Sequence, residues 1–217
     1  MIKFILFDLD NTLYSCKYGF DEKTSALVTE YISKYFGLSL EEAAEQRAKC
    51  FALYGTTLEW IMTEKGFTDI DDYYSFIHPE DEADALQPDP KLGELIEKLP
   101  CKSAILTNAP IEHAQRILKK LEIGDKFCAI FDIKWLGLKG KPREDAFRKV
   151  LNSLKAAPEE VLFIDDLPSY VKGYLAIGGK GILLDEEDRY PDYVGAKIRS
   201  LYEIPHSLNQ ACGMELT

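Results

Sequence analysis

The sequence predicts an α/β fold in which a doubly wound parallel sheet forms the core and a helical domain is inserted after the first strand. Three observations support this prediction. Short apolar runs typical of buried parallel strands recur along the chain. Segments with apolar residues at spacings of three and four, typical of amphipathic helices, separate the later runs. One long segment, from about residue 14 to about residue 88, interrupts this alternation and carries only helical patterns.

Five runs are predicted as strands because each is short, apolar and followed by polar or turn-forming residues. They are residues 4–7, 102–107, 127–133, 160–164 and 181–184. Apolar stripes over 111–121 and 146–154 predict helices between them. A further helix is expected to begin at Pro90, with Asp89 as its N-cap. Alternating strands and helices favour a parallel sheet covered by helices on both faces.

The inserted segment is predicted to contain helices over 23–36, 40–54, 57–65 and 70–76. Gly37 is a helix-stop signal, and Ser39 with Glu42 matches a capping box. We therefore divide the chain into a core domain, residues 1–14 and 89–217, and a helical cap domain, residues 15–88. A connection that leaves the end of the first strand is expected to cover a site there. The alternative is a helical surface insertion with no role in substrate binding.

The bulk composition argues against some partners. The 217 residues are 46% hydrophobic, so a sizeable core can form, and they carry a net charge of −11. An acidic chain is poorly suited to bind nucleic acid polymers or anionic membranes. A negatively charged small substrate remains compatible, because a bound cation can invert the local field. The start is too short and too acidic for a signal peptide and no run is long enough to span a membrane, which predicts a cytoplasmic protein.

The cysteines predict a reducing compartment. There are five, at positions 16, 50, 101, 128 and 212, and none forms a CxxC pair. An odd, scattered set is most simply explained by buried, reduced thiols.

Two acidic pairs follow predicted strands. Asp8 and Asp10 follow the first, and on a strand they would share one face because side chains alternate. Asp165 and Asp166 follow the fourth. One such pair is compatible with a polar strand end leading into a turn. Two pairs at the carboxyl ends of parallel strands can converge on a single divalent cation, and Mg²⁺ prefers hard oxygen ligands of this kind.

Other polar side chains follow the intervening strands. Thr107 and Asn108 end the second strand before a helix, where a hydroxyl and backbone N–H groups suit an oxyanion, although ordinary capping would use the same residues. Lys141 and Lys139 lie in a loop before another helix, where a lysine can neutralise phosphate oxygens or simply be solvated. Lys141 is favoured because Pro142 holds it in an extended conformation just before the helix.

The first acidic pair, Thr107, Lys141 and the second acidic pair, in their order along the chain, resemble the motifs of the haloacid dehalogenase superfamily. The resemblance spans the whole chain. It implies a Rossmann-like core with an α-helical cap, and Mg²⁺ as cofactor. It also implies that a second Asp favours phosphate substrates over haloacids, whose hydrolases lack the magnesium site. The matching motifs are DxDxT at residues 8–12, Thr107, Lys141, and the pair Asp165-Asp166.

Several phrases are similar to the pyrimidine 5′-nucleotidase branch of that superfamily. They are FDLDNTLY, LQPDPKL, ILTNAPIEHAQRILKKLEI, KGKPREDAF and FIDDLPSYVKG, together with YGTTL in the cap. The resemblance thus implies a phosphatase acting on a small phosphorylated metabolite, with nucleoside monophosphates as first candidates. After the acidic pair this chain has Leu167-Pro168-Ser169-Tyr170, where a small polar residue and later an Asn are expected.

The resemblance also implies roles for the motif residues. Asp8 would attack phosphorus to form an aspartyl-phosphate, and Asp10 would protonate the leaving oxygen and then activate water. Phosphate oxygens would be bound by Thr107, Asn108 and Lys141. Magnesium would be held by Asp8, Asp10 through its carbonyl, and Asp165, with Asp166 either binding the ion or holding waters and Lys141. Two alternatives stay open: a phosphomutase, and a non-catalytic phospho-acceptor switch.

Specificity is expected to depend on the cap. The aromatic residues Phe20, Tyr54 and Trp60 could stack on a nucleobase, or each could pack in the core of the cap itself. The histidines at positions 78, 113 and 206 are expected to be helix or surface residues rather than ligands, because no two have metal-binding spacing.

Overall fold

The computed structural model describes residues 1–54 and 56–204. Its strands are β1 (Phe4–Phe7), β2 (Lys102–Leu106), β3 (Ile130–Phe131), β4 (Val161–Asp165), β5 (Lys180–Leu184) and β6 (Lys197–Ile198). They form one parallel sheet in the order β3-β2-β1-β4-β5-β6. The predicted doubly wound α/β core is confirmed. The chain order reverses between β1 and β4, and ligands of such sheets bind outside the carboxyl ends of the strands at that point.

The described residues form eight α-helices, and local signals account for several of their ends. The carboxylate of Asp89 accepts hydrogen bonds from the first turn of α5, and Ser39 and Glu42 bond reciprocally at the start of α2. In the described part of the chain, no helix is long and apolar enough to cross a bilayer. The helices are α1 (Phe20–Phe36), α2 (Leu40–Tyr54), α3 (Thr57–Lys65), α4 (Ile70–Ile77), α5 (Pro90–Glu97), α6 (Ile111–Leu121), α7 (Glu144–Leu154) and α8 (Pro168–Ala176).

Several predicted bounds differ from the structure by one or two residues, and three differences are larger. The strand predicted over 127–133 is reduced to β3, because the Asp132 side chain accepts hydrogen bonds from the N–H groups of Lys134 and Trp135 and turns the chain. Helix α1 starts three residues earlier than predicted, directly after Gly19, whose φ of 68° is left-handed. Strand β6 was not predicted, because two residues are too few to display a pattern.

The sheet is buried on both faces. Alternate strand residues such as Leu6 and Phe163 pack with Phe147 and Tyr174 in one core cluster. Their neighbours, among them Ile5, point to the other face and are equally buried. Burial on both faces explains why the strands are continuous apolar runs. The polar side chains are consequently placed at the strand ends.

The chain divides into two compact units, one made of Met1–Lys17 with the described residues from Ala85 onward, the other of Tyr18–Asp84. The second unit contains α1–α4. Its interior is aromatic: the ring of Tyr31 lies 6.0 Å from that of Phe67 and 5.2 Å from that of Tyr73. The assignment of residues 15–88 as a cap stays a prediction.

The expectation of buried cysteines is wrong for all four of the described ones. Cys128 is exposed, and Cys16, Cys50 and Cys101 are partly exposed free thiols. Cys128 lies in the segment before β3, which begins only at Ile130. Position 212 lies outside the described residues.

Candidate active site

The register of β1 against β4 brings the two acidic pairs together. Phe7 is paired with Ile164, and the N–H of Asp8 donates to the carbonyl of Ile164 at 2.9 Å. Asp8 and Asp165 are therefore neighbours at the carboxyl edge of the sheet. This is the point where the strand order reverses. Of the four carboxylates in the two predicted acidic pairs, those of Asp8, Asp165 and Asp166 lie together, whereas the Asp10 carboxylate is not in this group.

Three carboxylates form what we call the acidic cluster: Asp8, Asp165 and Asp166. Their side chains are buried, and each offers one oxygen within 4.8 Å of the others. One cation lies among them, since Nζ of Lys141 is 2.6 Å from Asp8 Oδ1 and 2.7 Å from Asp165 Oδ2. When ionised, the three buried carboxylates outnumber the buried ammonium of Lys141 and the half-exposed guanidinium of Arg189, so net negative charge remains and favours a further cation.

Burial and mutual repulsion set the electrostatics of this cluster. Burial raises the pKa of Asp8; Lys141 lowers it, and Asp165 and Asp166 raise it further. Burial also raises the pKa of Asp165, against the effect of Lys141. For Lys141, burial would lower the pKa, but Asp165 and Asp8 outweigh it and raise the pKa, so the lysine is cationic.

The backbone of Lys141 is held by Asn108. The Asn108 Oδ1 accepts from the Lys141 N–H at 2.8 Å, and its Nδ2 donates to the Lys141 carbonyl at 3.0 Å. Gly140 is required for this approach, because a Cβ there would overlap Asn108 Oδ1. The amide of Asn108 thus fixes the lysine loop against the end of β2. Its predicted role in phosphate binding stays a prediction.

Tyr170 completes the surroundings of the lysine. Its hydroxyl accepts from Asn108 Nδ2 at 3.1 Å, and Lys141 Nζ lies 4.9 Å from the centre of its ring. A ring face attracts a cation electrostatically. Tyr170 belongs to the segment after the acidic pair where the sequence departs from the superfamily pattern. Here an aromatic ring in the first turn of α8 lies against Lys141.

Thr107 lies buried at the end of β2, the neighbour of β1. Its Oγ1 accepts from the N–H of Ala109 at 3.0 Å. A hydroxyl that accepts one hydrogen bond can still donate its own proton. Thr107 thus has a proton to donate at this edge, and its role in binding phosphate oxygens stays a prediction.

Asp10 is held by two residues that the sequence did not single out as site residues. The hydroxyl of Tyr14 donates to Asp10 Oδ1 at 2.5 Å, and Nε2 of His113 lies 2.7 Å from the same oxygen. Asn11, with φ of 55°, turns the chain directly after Asp10, a conformation that Asn tolerates well. His113 lies on a helix, as expected, but it is buried and contacts a motif residue. The sequence feature that could have indicated His113 is its place in the first turn of α6, the helix that follows Thr107.

Asp166 has a cationic partner from another strand end. Arg189 Nη2 lies 2.8 Å from Asp166 Oδ2 and belongs to the loop after β5. The buried carboxylate of Asp185 holds that loop by accepting from the N–H groups of Arg189 and Tyr190, at 2.7 and 3.0 Å. No sequence pattern identifies Arg189, because it is contributed by an irregular segment.

Replacing Asp185 with Asn is expected to destabilise the protein by about 1–3 kcal/mol at pH 7, because the amide loses one of two accepting oxygens. Burial would raise the pKa of Asp185, but hydrogen bonds from Tyr190, Arg189 and Lys197 lower it below its usual value. A lowered folded-state pKa stabilises above the unfolded carboxyl value, about 4, and that stabilisation is lost as pH falls below it. Urea unfolding at pH 7, 5, 4 and 3 measures this. A difference between variant and wild type that does not shrink between pH 5 and pH 3 contradicts the prediction.

The three aromatic residues proposed for specificity lie in the helical unit. The hydroxyl of Tyr54 and the Nε1 of Trp60 both donate to Glu64, at 2.8 and 2.9 Å. Trp60 is buried with its ring 6.4 Å from that of Phe36. Phe20 is also buried. Packing within the helical unit accounts for Trp60, and the assignment of all three residues to specificity stays a prediction.

A separate cavity of about 240 Å³ lies beside the loop after β1. Residues 11–15 line one side of it, and Glu186, Arg199 and Tyr202 line others. None of the acidic-cluster residues lines this cavity. It is therefore distinct from the carboxylate site.

Solved structures of known proteins share this fold. The HAD phosphatase from Thermococcus onnurineus matches with a TM-score of 0.67 and 21% identity, over 95% of this chain and 98% of that one. The L-2-haloacid dehalogenase from Xanthobacter autotrophicus, with chloropropionic acid covalently bound, matches with a TM-score of 0.62 and 16% identity, over 98% of this chain and 100% of that one. YfnB from Bacillus subtilis, bound to magnesium, matches with a TM-score of 0.57 and 19% identity, over 96% of this chain and 99% of that one.

Because these sequence identities are low, the structural matches show only that the fold is shared. The family is shown by the sequence itself. The family model described as haloacid dehalogenase-like hydrolase matches residues 2–173, which include every residue of the acidic cluster as well as Asp10, Thr107 and Lys141. The chain belongs to the haloacid dehalogenase-like hydrolases.

Proposed function

We propose that this chain is a magnesium-dependent phosphatase that hydrolyses a small phosphate monoester through an aspartyl-phosphate intermediate. The observation that carries the proposal is the acidic cluster around Lys141, together with a second carboxylate, Asp10, two residues after Asp8. A lone nucleophilic carboxylate would serve carbon–halogen hydrolysis as well. A second, separately held carboxylate supports proton transfer to an oxygen leaving group.

The first half-reaction follows from the positions of two carboxylates. A carboxylate oxygen of Asp8 bonds to phosphorus as the bond from phosphorus to the ester oxygen breaks. Asp10 gives its proton to that departing oxygen, so an alcohol leaves. Thr107 and Lys141 lie at the same edge of the sheet, and donate to the oxygens of the phosphoryl group in transit.

The second half-reaction uses the same groups in reverse. Asp10, now a carboxylate, takes a proton from water as the water oxygen bonds to phosphorus. The bond between phosphorus and the Asp8 oxygen breaks, which releases phosphate and restores the Asp8 carboxylate. One residue serves both as acid and base because its proton returns in the second step.

The donor set fits magnesium. Three buried carboxylates supply hard oxygen atoms within 4.8 Å of one another, and Lys141 does not neutralise them fully. We assign Asp8, Asp165, Asp166 and the carbonyl of Asp10 to hold the ion. Its positive charge would reduce the repulsion between the anionic nucleophile and the anionic phosphate.

The proposed substrates are nucleoside monophosphates, with pyrimidine 5′-monophosphates first. This rests on the phrases similar to the pyrimidine 5′-nucleotidase branch. We further propose that the helical unit acts as the cap, with Phe20, Tyr54 and Trp60 contributing to the choice of substrate.

A substrate panel tests the proposed function. Phosphate release from pyrimidine and purine monophosphates, sugar phosphates and p-nitrophenyl phosphate is measured with Mg²⁺ and with EDTA. Halide release from 2-chloropropionate is measured in parallel. Mg²⁺-dependent phosphate release is the expected result. Halide release alone would overturn the proposal, and conversion of a sugar phosphate to its isomer would indicate a phosphomutase.

Replacing Asp10 with Asn is expected to lower kcat/KM on nucleoside monophosphates by about 10²–10⁴-fold, because the amide cannot donate the required proton. The loss is expected to be much smaller on p-nitrophenyl phosphate, whose leaving group departs without protonation. Steady-state kinetics on both substrates measures the ratio. A loss below tenfold on the nucleotide would contradict the acid–base role.

A further inference from the structure

We propose that His113 and Tyr14 are positioning residues that hold the Asp10 carboxylate in the orientation for proton transfer. This inference rests on the proposed function, since it concerns the acid–base step of that reaction. It goes beyond the four motifs DxDxT, Thr107, Lys141 and Asp165-Asp166, because neither residue belongs to them and no role was assigned to either from the sequence. The contact that carries it joins residues 103 positions apart in the chain.

The two contacts restrain one oxygen of the carboxylate. Tyr14 donates to Asp10 Oδ1, and His113 Nε2 lies within hydrogen-bond distance of that same atom. Two partners on one oxygen fix the position of that oxygen and restrain rotation of the carboxylate.

His113 is held in place by burial and by the packing of α6. Its side chain is 3% exposed, whereas that of Asp10 is 28% exposed, so the histidine is the fixed partner. Helix α6 packs a buried stripe that includes Ala114 and Ile117. Its first N–H, from Ile111, donates to the carboxylate of Asp132 at 3.1 Å. The helix is thus tied at its start, one turn or less from His113.

Tyr14 approaches from a different element. It lies in the segment after β1, four residues beyond Asp10, and is itself buried. Contacts from two separate elements restrain the Asp10 carboxylate, which could rotate if only one contact were present. A misplacement of about 1 Å at a reacting group can cost about 100-fold in rate. If His113 had a purely structural role, replacing it should lower kcat/KM to the same extent for esters with different leaving groups.

The test compares leaving groups. kcat/KM is measured for a nucleoside monophosphate and for 2,4-dinitrophenyl phosphate in wild type, His113→Leu, His113→Gln and Tyr14→Phe. We expect His113→Leu to lose about 10–100-fold on the nucleotide and less than about threefold on the activated ester. His113→Gln, which can place a donor near Nε2, is expected to recover part of the loss. Ile117→Val, a packing change on the same helix, is the matched control and should not alter the ratio.

A second measurement separates positioning from folding. In an Asp10→Asn background, His113→Leu is expected to cost little further activity, because the group it positions is already disabled. Equal losses on both esters, or additive losses in the double variant, would overturn the inference. Tyr14→Phe, a conservative change, provides the same comparison if His113→Leu does not fold. A wild-type protein without phosphatase activity would instead refute the proposed function.

Discussion

Replacing Asp8 with Asn is expected to abolish turnover, with a loss in kcat/KM on phosphate monoesters of about 10⁴-fold or more. The amide keeps the size and position of the side chain but cannot attack phosphorus as a carboxylate does. In the wild type, rapid quenching with labelled substrate should trap phosphate on the protein as an acyl phosphate that hydroxylamine removes. The Asp8→Asn variant should trap none.

This variant is expected to fold. Burial raises the pKa of Asp8, so its charge costs free energy in the folded state at neutral pH. Asn removes that cost while Lys141 keeps its contact with Asp165. The free energy of unfolding at pH 7 should stay within about 1 kcal/mol of wild type, or rise. Asp192→Asn, at an exposed position, is the matched control. Full activity in folded Asp8→Asn would refute the nucleophile assignment.

Much of the fold could be predicted because the relevant signals are local. The carboxylate of Asp89 and the pair Ser39 and Glu42 act within one turn of the helices that they begin, so the sequence alone reveals them. The short β3 and β6 depend on other parts of the chain. Strand β6 forms because Lys197 and Ile198 pair with β5, and the sequence of a two-residue segment does not predict this pairing.

The candidate site was predictable where it follows strands. Asp8 follows β1 and Asp165 is the last residue of β4, and parallel strands bring their carboxyl ends to one edge. The sequence could not reveal the partners that other elements supply. His113 lies on a helix whose rotation decides which residues face Asp10, and Arg189 lies in an irregular loop. Asn108 was predicted from its place but not for its contacts with the Lys141 backbone, because those depend on how the loop before α7 folds.

Replacing Lys141 with Met is expected to destabilise the protein by about 3–5 kcal/mol in EDTA, because it leaves the buried carboxylates of the acidic cluster without their ammonium. The side chain of Lys141 is 1% exposed and contacts both Asp8 and Asp165, so water does not replace it readily. Phosphatase activity should fall by about 10²–10³-fold, since a donor to the phosphoryl oxygens is lost. Chemical denaturation and steady-state kinetics measure the two effects.

Lys139 supplies the matched control, since it lies exposed in the same loop. Lys139→Met removes the same charge and should change stability by no more than about 0.5 kcal/mol. Mg²⁺ should stabilise Lys141→Met more than it stabilises wild type, because the variant cluster is more negative and binds a cation more tightly. The shift of the thermal midpoint with Mg²⁺ is a readout independent of catalysis.

A double variant tests the physical cause. If Lys141→Met destabilises through uncompensated charge, then adding Asp165→Asn removes one of those charges and should recover part of the lost stability. If the cause is lost packing of the lysine stem against Tyr170 and Phe163, whose ring centres lie 4.9 and 5.5 Å from Nζ, the second change should recover nothing. Recovery is expected, because an unpaired buried charge costs more than the few methylene contacts that Met largely retains. A Lys141→Met variant as stable as wild type in EDTA would show that the three carboxylates do not share one buried, negatively charged site.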